Sequence, residues 1–248
     1  MMATPPTKPT TPGNAPLVMK LLWGHQPAPA QRGPQRALTI DQIVAAAIAL
    51  ADDQGYAAIS MAAVAKRLGF TTMSLYRYVD AKDTLLALLA DRAMGPAPAI
   101  DRTGGWRQGL RNWALAEFDA ISAHPWWLEI PPHARPAGPN TMSWLDAGLS
   151  TMADLDIPEP LKLQLVSNLS LYIMSRSRLV HQMAAEPDSP ADYQDTLAST
   201  LDPKHYPHLT KALTAQSFQT IADHHWEETD FVFGLDRLLD GYTHYIDQ

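Results

Sequence analysis

Ser60-Met-Ala-Ala-Val-Ala-Lys-Arg-Leu-Gly69-Phe-Thr-Thr-Met-Ser-Leu-Tyr-Arg-Tyr78 reads as a helix, a glycine turn and a short second helix. The Ser60 hydroxyl can accept from the free amides of a first helical turn. Val64 and Leu68 then fall on one face. Gly69 supplies the tight turn, and Thr71 or Thr72 can cap the helix that follows. Leu75 and Val79, four apart, face inward and leave Thr72, Met73, Ser74, Tyr76, Arg77 and Tyr78 outward. That outward set is rich in hydroxyls and aromatics and carries one charge, Arg77. Such a surface suits hydrogen bonding to phosphates and packing on thymine methyls. Helix-turn-helix geometry places the second helix of such a pair in the DNA major groove. An ordinary helical hairpin also shows a capped helix, a glycine and another helix, so the flanking residues decide.

Residues 37–92 as a block resemble the N-terminal domain of the TetR family of bacterial transcriptional repressors. The resemblance is carried by Ile43-Val44-Ala45-Ala46-Ala47 and the closing Gly55, then Ser60-Met61, Val64-Ala65 and Leu68-Gly69. It continues through Ser74-Leu75-Tyr76-Arg77-Tyr78-Val79 and Lys82-Asp83-Leu85-Leu86. Leu22-Trp23-Gly24, Arg32-Gly33-Pro34 and the stretch from Phe231 to Asp240 also look familial; residues 100–225 match only in being helical and apolar.

The resemblance implies an all-α chain. An N-terminal three-helix helix-turn-helix DNA-binding domain is followed by a C-terminal helical ligand-binding and dimerisation domain. It implies a homodimer on a palindromic DNA operator, released by a small-molecule effector. It also implies that Lys82, at the start of the fourth helix, touches a DNA phosphate; without it, Lys82 is a surface lysine neutralised by Asp83. The DNA-facing set is Thr39, Ser60, Thr71, Thr72, Met73, Ser74, Tyr76, Arg77, Tyr78 and Lys82. Arg32 and Arg36 join it as an arm for the minor groove or, read blandly, as linker charges.

Composition agrees with this division. The net charge of −7 is unevenly spread. Residues 1–38 carry Lys8, Lys20, Arg32 and Arg36 and no acid, and residues 39–95 are nearly balanced, so the excess acid lies beyond residue 95. A basic end that faces DNA and an acidic body that faces solvent fit this asymmetry. Cysteine is absent, which excludes disulfide scaffolds, thiolate metal sites and cysteine nucleophiles. No signal peptide or bilayer-spanning apolar run is recognisable, so a cytoplasmic protein with no membrane partner is expected.

Residues 1–36 hold eight of the twenty-one prolines and read as a disordered basic tail, within which Leu17–Trp23 is an apolar patch that can dock. Residues 37–95 form the DNA-binding domain, with a helix over 40–54 ended by Gly55 and a fourth helix capped by Asp80. Pro96 and Pro98 mark the boundary. In residues 96–248, helices are expected over 106–123, 141–155 and 159–184, with a broken proline-rich stretch over 124–140. Residues 186–208 read as an acidic excursion, and a last helix follows.

Trp113, Phe118, Trp126, Trp144, Leu145, Leu169, Tyr172 and Arg176 are the candidate lining of an apolar cavity, although aromatics at helical spacing also serve as plain core. Leu163, Val166, Ile173 and Val180 on the long helix, with Phe231, Leu235, Leu238 and Tyr242 at the 4-3-4 spacing of a packing seam, are the candidate dimer interface. His205, His208, His224 and His225 lack converging partners for zinc, and no metal or cofactor is expected. No phosphate loop, G-x-S-x-G elbow or H-E-x-x-H motif is present, so the chain reads as a non-enzyme. Two competing readings stay open: a DNA-binding regulator that responds to a protein partner or to nothing, and a helical interaction module without DNA binding.

Overall fold

The computed structural model describes residues 17–24, 38–135, 137–185, 196–197, 199–214 and 226–247. Among them the secondary structure is helical, with no strand. None of the described helices is long and apolar enough to cross a membrane. The chain divides into two compact units, one of residues up to Pro96 with Glu129–Ser143, the other of Ala97–Leu128 with the residues from Trp144 onward.

The first unit is built from helices whose ends are written in adjacent residues. α1 (Leu17–Leu22) precedes α2 (Ile40–Gln54), α3 (Met61–Leu68), α4 (Thr72–Leu75) and α5 (Lys82–Met94). Thr39 and Gln42 form a reciprocal capping box at the start of α2. Ser60 Oγ accepts from Ala63 N at 3.1 Å to start α3. Gly69 closes α3 at φ 74°, a left-handed conformation that other residues adopt only with strain. Ile43, Val44, Ala47, Val64, Leu75, Val79, Leu85 and Leu89 interlock as a dry core. The expected cap at Asp80 is corrected. Ala81 is the N-cap residue of α5, with no side-chain bond, and Asp80 Oδ1 accepts from the Thr84 hydroxyl at 2.6 Å.

Two segments remote from these helices complete the unit. Leu17–Leu22, expected within a disordered tail, is instead a helix packed on α5, with Leu21 and Leu22 buried. Trp23 Nε1 donates to the Ala137 carbonyl at 3.2 Å. The remainder of residues 1–36, including the arm arginines Arg32 and Arg36, lies outside the described residues. The stretch Glu129–Ser143 belongs here although it lies midway along the chain. It holds a 3-10 turn, Pro132–Ala134, and the first turn of α7 (Pro139–Ser150). The buried Asp91 carboxylate binds that turn, accepting from Thr141 N (3.0 Å), Thr141 Oγ1 (3.2 Å) and Asn140 N (3.3 Å). An anion at a helix start satisfies otherwise unpaired amides, and α7 takes its anion from α5.

The second unit packs α6 (Gly105–Ala123), the later turns of α7, α8 (Glu159–Ala185) and α10 (Trp226–Ile246), with α9 (Pro207–Thr214) also described. Leu110, Trp113, Ala114 and Ile121 form the buried stripe of α6, and Val166, Leu169 and Ile173 that of α8. Gly148 lets α7 approach closely: a Cβ there would lie 2.7 Å from Val166 and 3.0 Å from the Trp113 ring. The broken stretch after α6 contains a 3-10 turn, Pro125–Glu129, that buries Trp126, Trp127 and Leu128. In α10 the buried side chains are Phe231, Leu235, Leu239 and Tyr242. Leu239 thus holds the inward place expected of Leu238, which is half-buried. A straight helix advances 3.6 residues per turn, so its inner face drifts from a strict 4-3-4 seam.

Candidate functional site

The first unit presents α4 and its flanks as an exposed polar–aromatic surface. Leu75 and Val79 are fully buried, while Met73 is 75% exposed and Tyr76 44%. Thr71, Arg77 and Lys82 are also exposed; Thr72, Ser74 and Tyr78 are half-buried. The hydroxyls are pre-engaged: Thr71 Oγ1 accepts from Ser74 N at 3.3 Å and lies 2.9 Å from Ser74 Oγ. Those of Thr39 and Ser60 are likewise spent on helix caps. Met73, Tyr76 and Arg77 are therefore the side chains most free to meet a ligand surface. Phe70, 39% exposed, adds a ring beside them.

Lys82 extends its ammonium over the Tyr56 ring, 5.7 Å from the ring centre. A cation over a ring face gains electrostatically and is oriented without being neutralised. Tyr56 had no signal in the sequence, because it lies 26 positions upstream and no periodicity links the two.

The second unit holds the proposed cavity residues in two environments. Trp113, Trp126, Trp144 and Leu169 are buried, and Trp113 Nε1 donates to the Trp144 carbonyl at 2.9 Å. Phe118, Leu145, Tyr172 and Arg176 are half-buried. Phe118 stacks on Phe231 at 4.3 Å, and Phe231 on Tyr172 at 5.6 Å, with the Tyr172 hydroxyl donating to the Phe231 carbonyl at 2.8 Å. Arg176 reaches Asp230 at 3.4 Å. The tryptophans therefore sit in the packed centre, while Phe118, Phe231 and Tyr172 form a graded stack between α6, α8 and α10.

Between α8 and α10 runs a groove of about 760 Å³ lined by Leu165, Leu171, Leu238, Tyr242 and Tyr245, among others. Of the eight residues expected at a dimer interface, Val166, Ile173, Phe231, Leu235 and Tyr242 are at most 7% exposed within the single chain. Side chains already dry within one chain have almost no surface left to bury against a second copy. On α8 and α10, Leu163, Leu171, Leu179, Met183, Phe233 and Tyr245 are exposed, and Val180 and Leu238 are half-buried.

Glu117 was absent from the expected site. It occupies the inward stripe of α6 with Ala114 and Ile121, is buried, and meets the Ser170 hydroxyl at 3.2 and 3.1 Å through its two oxygens. An acid in the 110–114–117–121 stripe was the available signal. Burial drives its pKa up to about 7, against a smaller lowering by Ser170. The folded chain thus binds this proton more tightly than the unfolded one, so stability falls as pH rises from about 4.5 to about 7. The loss is roughly 3 kcal/mol at 1.36 kcal/mol per pH unit. Glu117→Gln is expected to remove this component, narrowing the difference between the melting temperatures at pH 5 and pH 8.

Among the described residues no three His, Asp or Glu side chains gather as a metal site. His205 Nδ1 meets Asp202 at 2.9 Å, whereas His224 and His225 lie outside the described residues.

Comparison with known proteins covers both units. Residues 43–89 match the profile described as bacterial regulatory proteins, tetR family, and residues 97–246 that of the tetracyclin repressor-like C-terminal domain. The HTH-type transcriptional repressor DrrR1 of Streptomyces coeruleorubidus is 33% identical over 241 residues, spanning 92% of this chain and 86% of that protein. The HTH-type transcriptional repressor Rv1353c of Mycobacterium tuberculosis is 26% identical over 238 residues, covering 90% and 87%. The crystal structure of ActR from Streptomyces coelicolor in complex with actinorhodin shares the fold, with a TM-score of 0.70 at 22% identity over 85% of this chain and 99% of that one.

Proposed function

This chain belongs to the TetR family of bacterial regulatory proteins, as a transcriptional regulator and not an enzyme, and from that premise we propose that it responds to a ligand and how its parts divide the work. The first unit reads an operator through α4, and the second binds a small apolar or aromatic effector that releases the DNA. The carrying observation is the capped α3–Gly69–α4 hairpin, which buries Leu75 and Val79 and turns Met73, Tyr76 and Arg77 outward. Met73 suits a thymine methyl, while Arg77 and Lys82 suit phosphates.

TetR-family regulators bind DNA and effectors as dimers. Here the second copy covers the α8–α10 groove, because among the described residues its lining leaves Leu171 and Tyr245 exposed and Leu238 half-buried. One short recognition helix reads few base pairs, and two heads a helical turn or its multiple apart read an inverted repeat. An effector switches this assembly only if it binds one head separation better than the other.

Selection from a random-sequence DNA pool by the purified full chain tests the reading. An inverted repeat is expected, followed by its release when a library of small apolar metabolites is added. Recovery of no shared sequence would overturn operator reading, and an operator that no compound releases would overturn the sensor role. Lys82→Ala is expected to weaken selected and unrelated DNA alike and to lower the log–log salt slope by about one unit. Fluorescence anisotropy across a salt series measures it, and unchanged affinity at moderate salt would remove the phosphate role.

A further inference from the structure

Most arginines of the second unit, and its buried lysine, are bonded to carboxylates or carbonyls. Arg107 and Arg237 bind Asp240, Arg111 binds Asp236, Arg176 binds Asp230, and Lys162 binds Glu159. Arg178 donates to the Leu128 carbonyl. Asp119 and His181 are exposed, and the His124 ring lies tilted against Trp126, 5.4 Å away, beyond the end of α6. Glu117 is left as the buried acid of this unit with no cation among the described residues. A carboxylate offers about four acceptor positions, and Glu117 meets only the Ser170 hydroxyl.

On the face of α8 that carries Ser170, a hydroxyl is left without a partner. Ser177 follows Ser170 by two helical turns, about 10 Å along the axis, with the fully buried Ile173 between them. It is 4% exposed, and its Oγ has no hydrogen-bond partner. Buried polar groups are normally paired, so one left open at a packed helix face is unusual. Arg176 Nε, buried nearby on α8, is likewise unpaired. Beside Glu117 on α6, Phe118 leads into the Phe231–Tyr172 stack, and stacked rings are the surroundings a flat aromatic ligand favours.

We propose that the effector is a flat aromatic amine bearing a positive charge, which enters between α6 and α8, pairs its ammonium with Glu117 and offers a second polar group to Ser177. This rests on the reading that the second unit holds an effector. The ammonium supplies the cation that the fold withholds, in a charge-assisted hydrogen bond. The balance is explicit: neutral Glu117 and the ammonium ligand give a carboxylate–ammonium pair and one proton released to solvent. A neutral ligand releases none.

Fluorescence titration of the full-length protein with 9-aminoacridine, a cation at neutral pH, and with acridone, an uncharged relative of the same ring system, tests this. The wild type is expected to bind 9-aminoacridine at least about tenfold more tightly than Glu117→Gln, with acridone affinity changing less than about twofold. Affinity for 9-aminoacridine is expected to rise about tenfold per pH unit below pH 7, as one-proton release requires. That measurement needs no variant, so it holds even if Glu117→Gln were to fold poorly. Equal binding of both probes by both proteins, or pH-independent binding of the amine, overturns the inference and leaves the sensor role standing. Binding of neither probe also overturns it. The metabolite-release experiment judges the sensor role separately, because release by neutral compounds keeps that role and release by none removes it.

Discussion

A chain carrying Leu171→Glu and Leu238→Glu is expected to fold yet sediment as a monomer at micromolar concentration. Its affinity for the selected inverted repeat falls at least about 10³-fold, the low end of the gap between specific and non-specific DNA binding. Leu171 is 61% exposed and Leu238 half-buried, so two glutamates at these places face solvent in the monomer and cost the fold little. Across a two-fold interface each substitution occurs twice, and four carboxylates in an apolar groove are prohibitive to desolvate without partners. The same change at Leu235, which is fully buried within the chain, would unfold the body and report nothing about assembly. Analytical ultracentrifugation and circular dichroism of one sample separate these outcomes. A double variant that remains a dimer would move the interface elsewhere, and a monomeric wild type would remove it.

Trp113→Ala is expected to be the costliest single truncation in the second unit, at about 3–5 kcal/mol, with melting lowered by roughly 6–20 °C. Trp113 is fully buried, its ring packs at Gly148, and its indole N–H ties α6 to the Trp144 carbonyl of α7. Removal opens a large cavity and loses the hydrogen bond that joins α6 to α7. Trp113→Phe keeps most of the volume and loses the bond, so it is expected to cost distinctly less. If calorimetry gave the alanine variant wild-type stability, Trp113 would line open space and the plain-core reading of this tryptophan would be wrong.

The division between what was legible and what was not follows the range of each interaction. The DNA-reading head was legible because its determinants are local. Thr39 caps with Gln42, Ser60 with Ala63 and Thr71 with Ser74, each within three residues. Gly69 turns the chain by its own φ, and Leu75 and Val79 are one helical turn apart. The long helices of the second unit were legible through apolar periodicity for the same reason. Asp80 shows the limit of local reading, since a carboxylate one residue before a cap has two acceptable partners and here took the Thr84 hydroxyl.

The sequence by itself determined that the chain is helical, that residues 60–79 form a capped helix, a glycine turn and a second short helix, and that Leu75 and Val79 face the core. Each of these depends on residues within a turn or two of one another. Tertiary structure decided the rest: that Leu17–Leu22 is a helix docked on α5, that Glu129–Ser143 joins the first unit through Asp91, and that Leu239 lies inward beside Leu238. It also decided that Glu117 is buried without a cation among the described residues, and that five proposed interface residues are buried within the single chain. Periodicity marks a helix as having an apolar face but not which surface covers it. The cover comes from residues tens of positions away, and whether a polar side chain on that face finds a partner is settled only when the two surfaces meet.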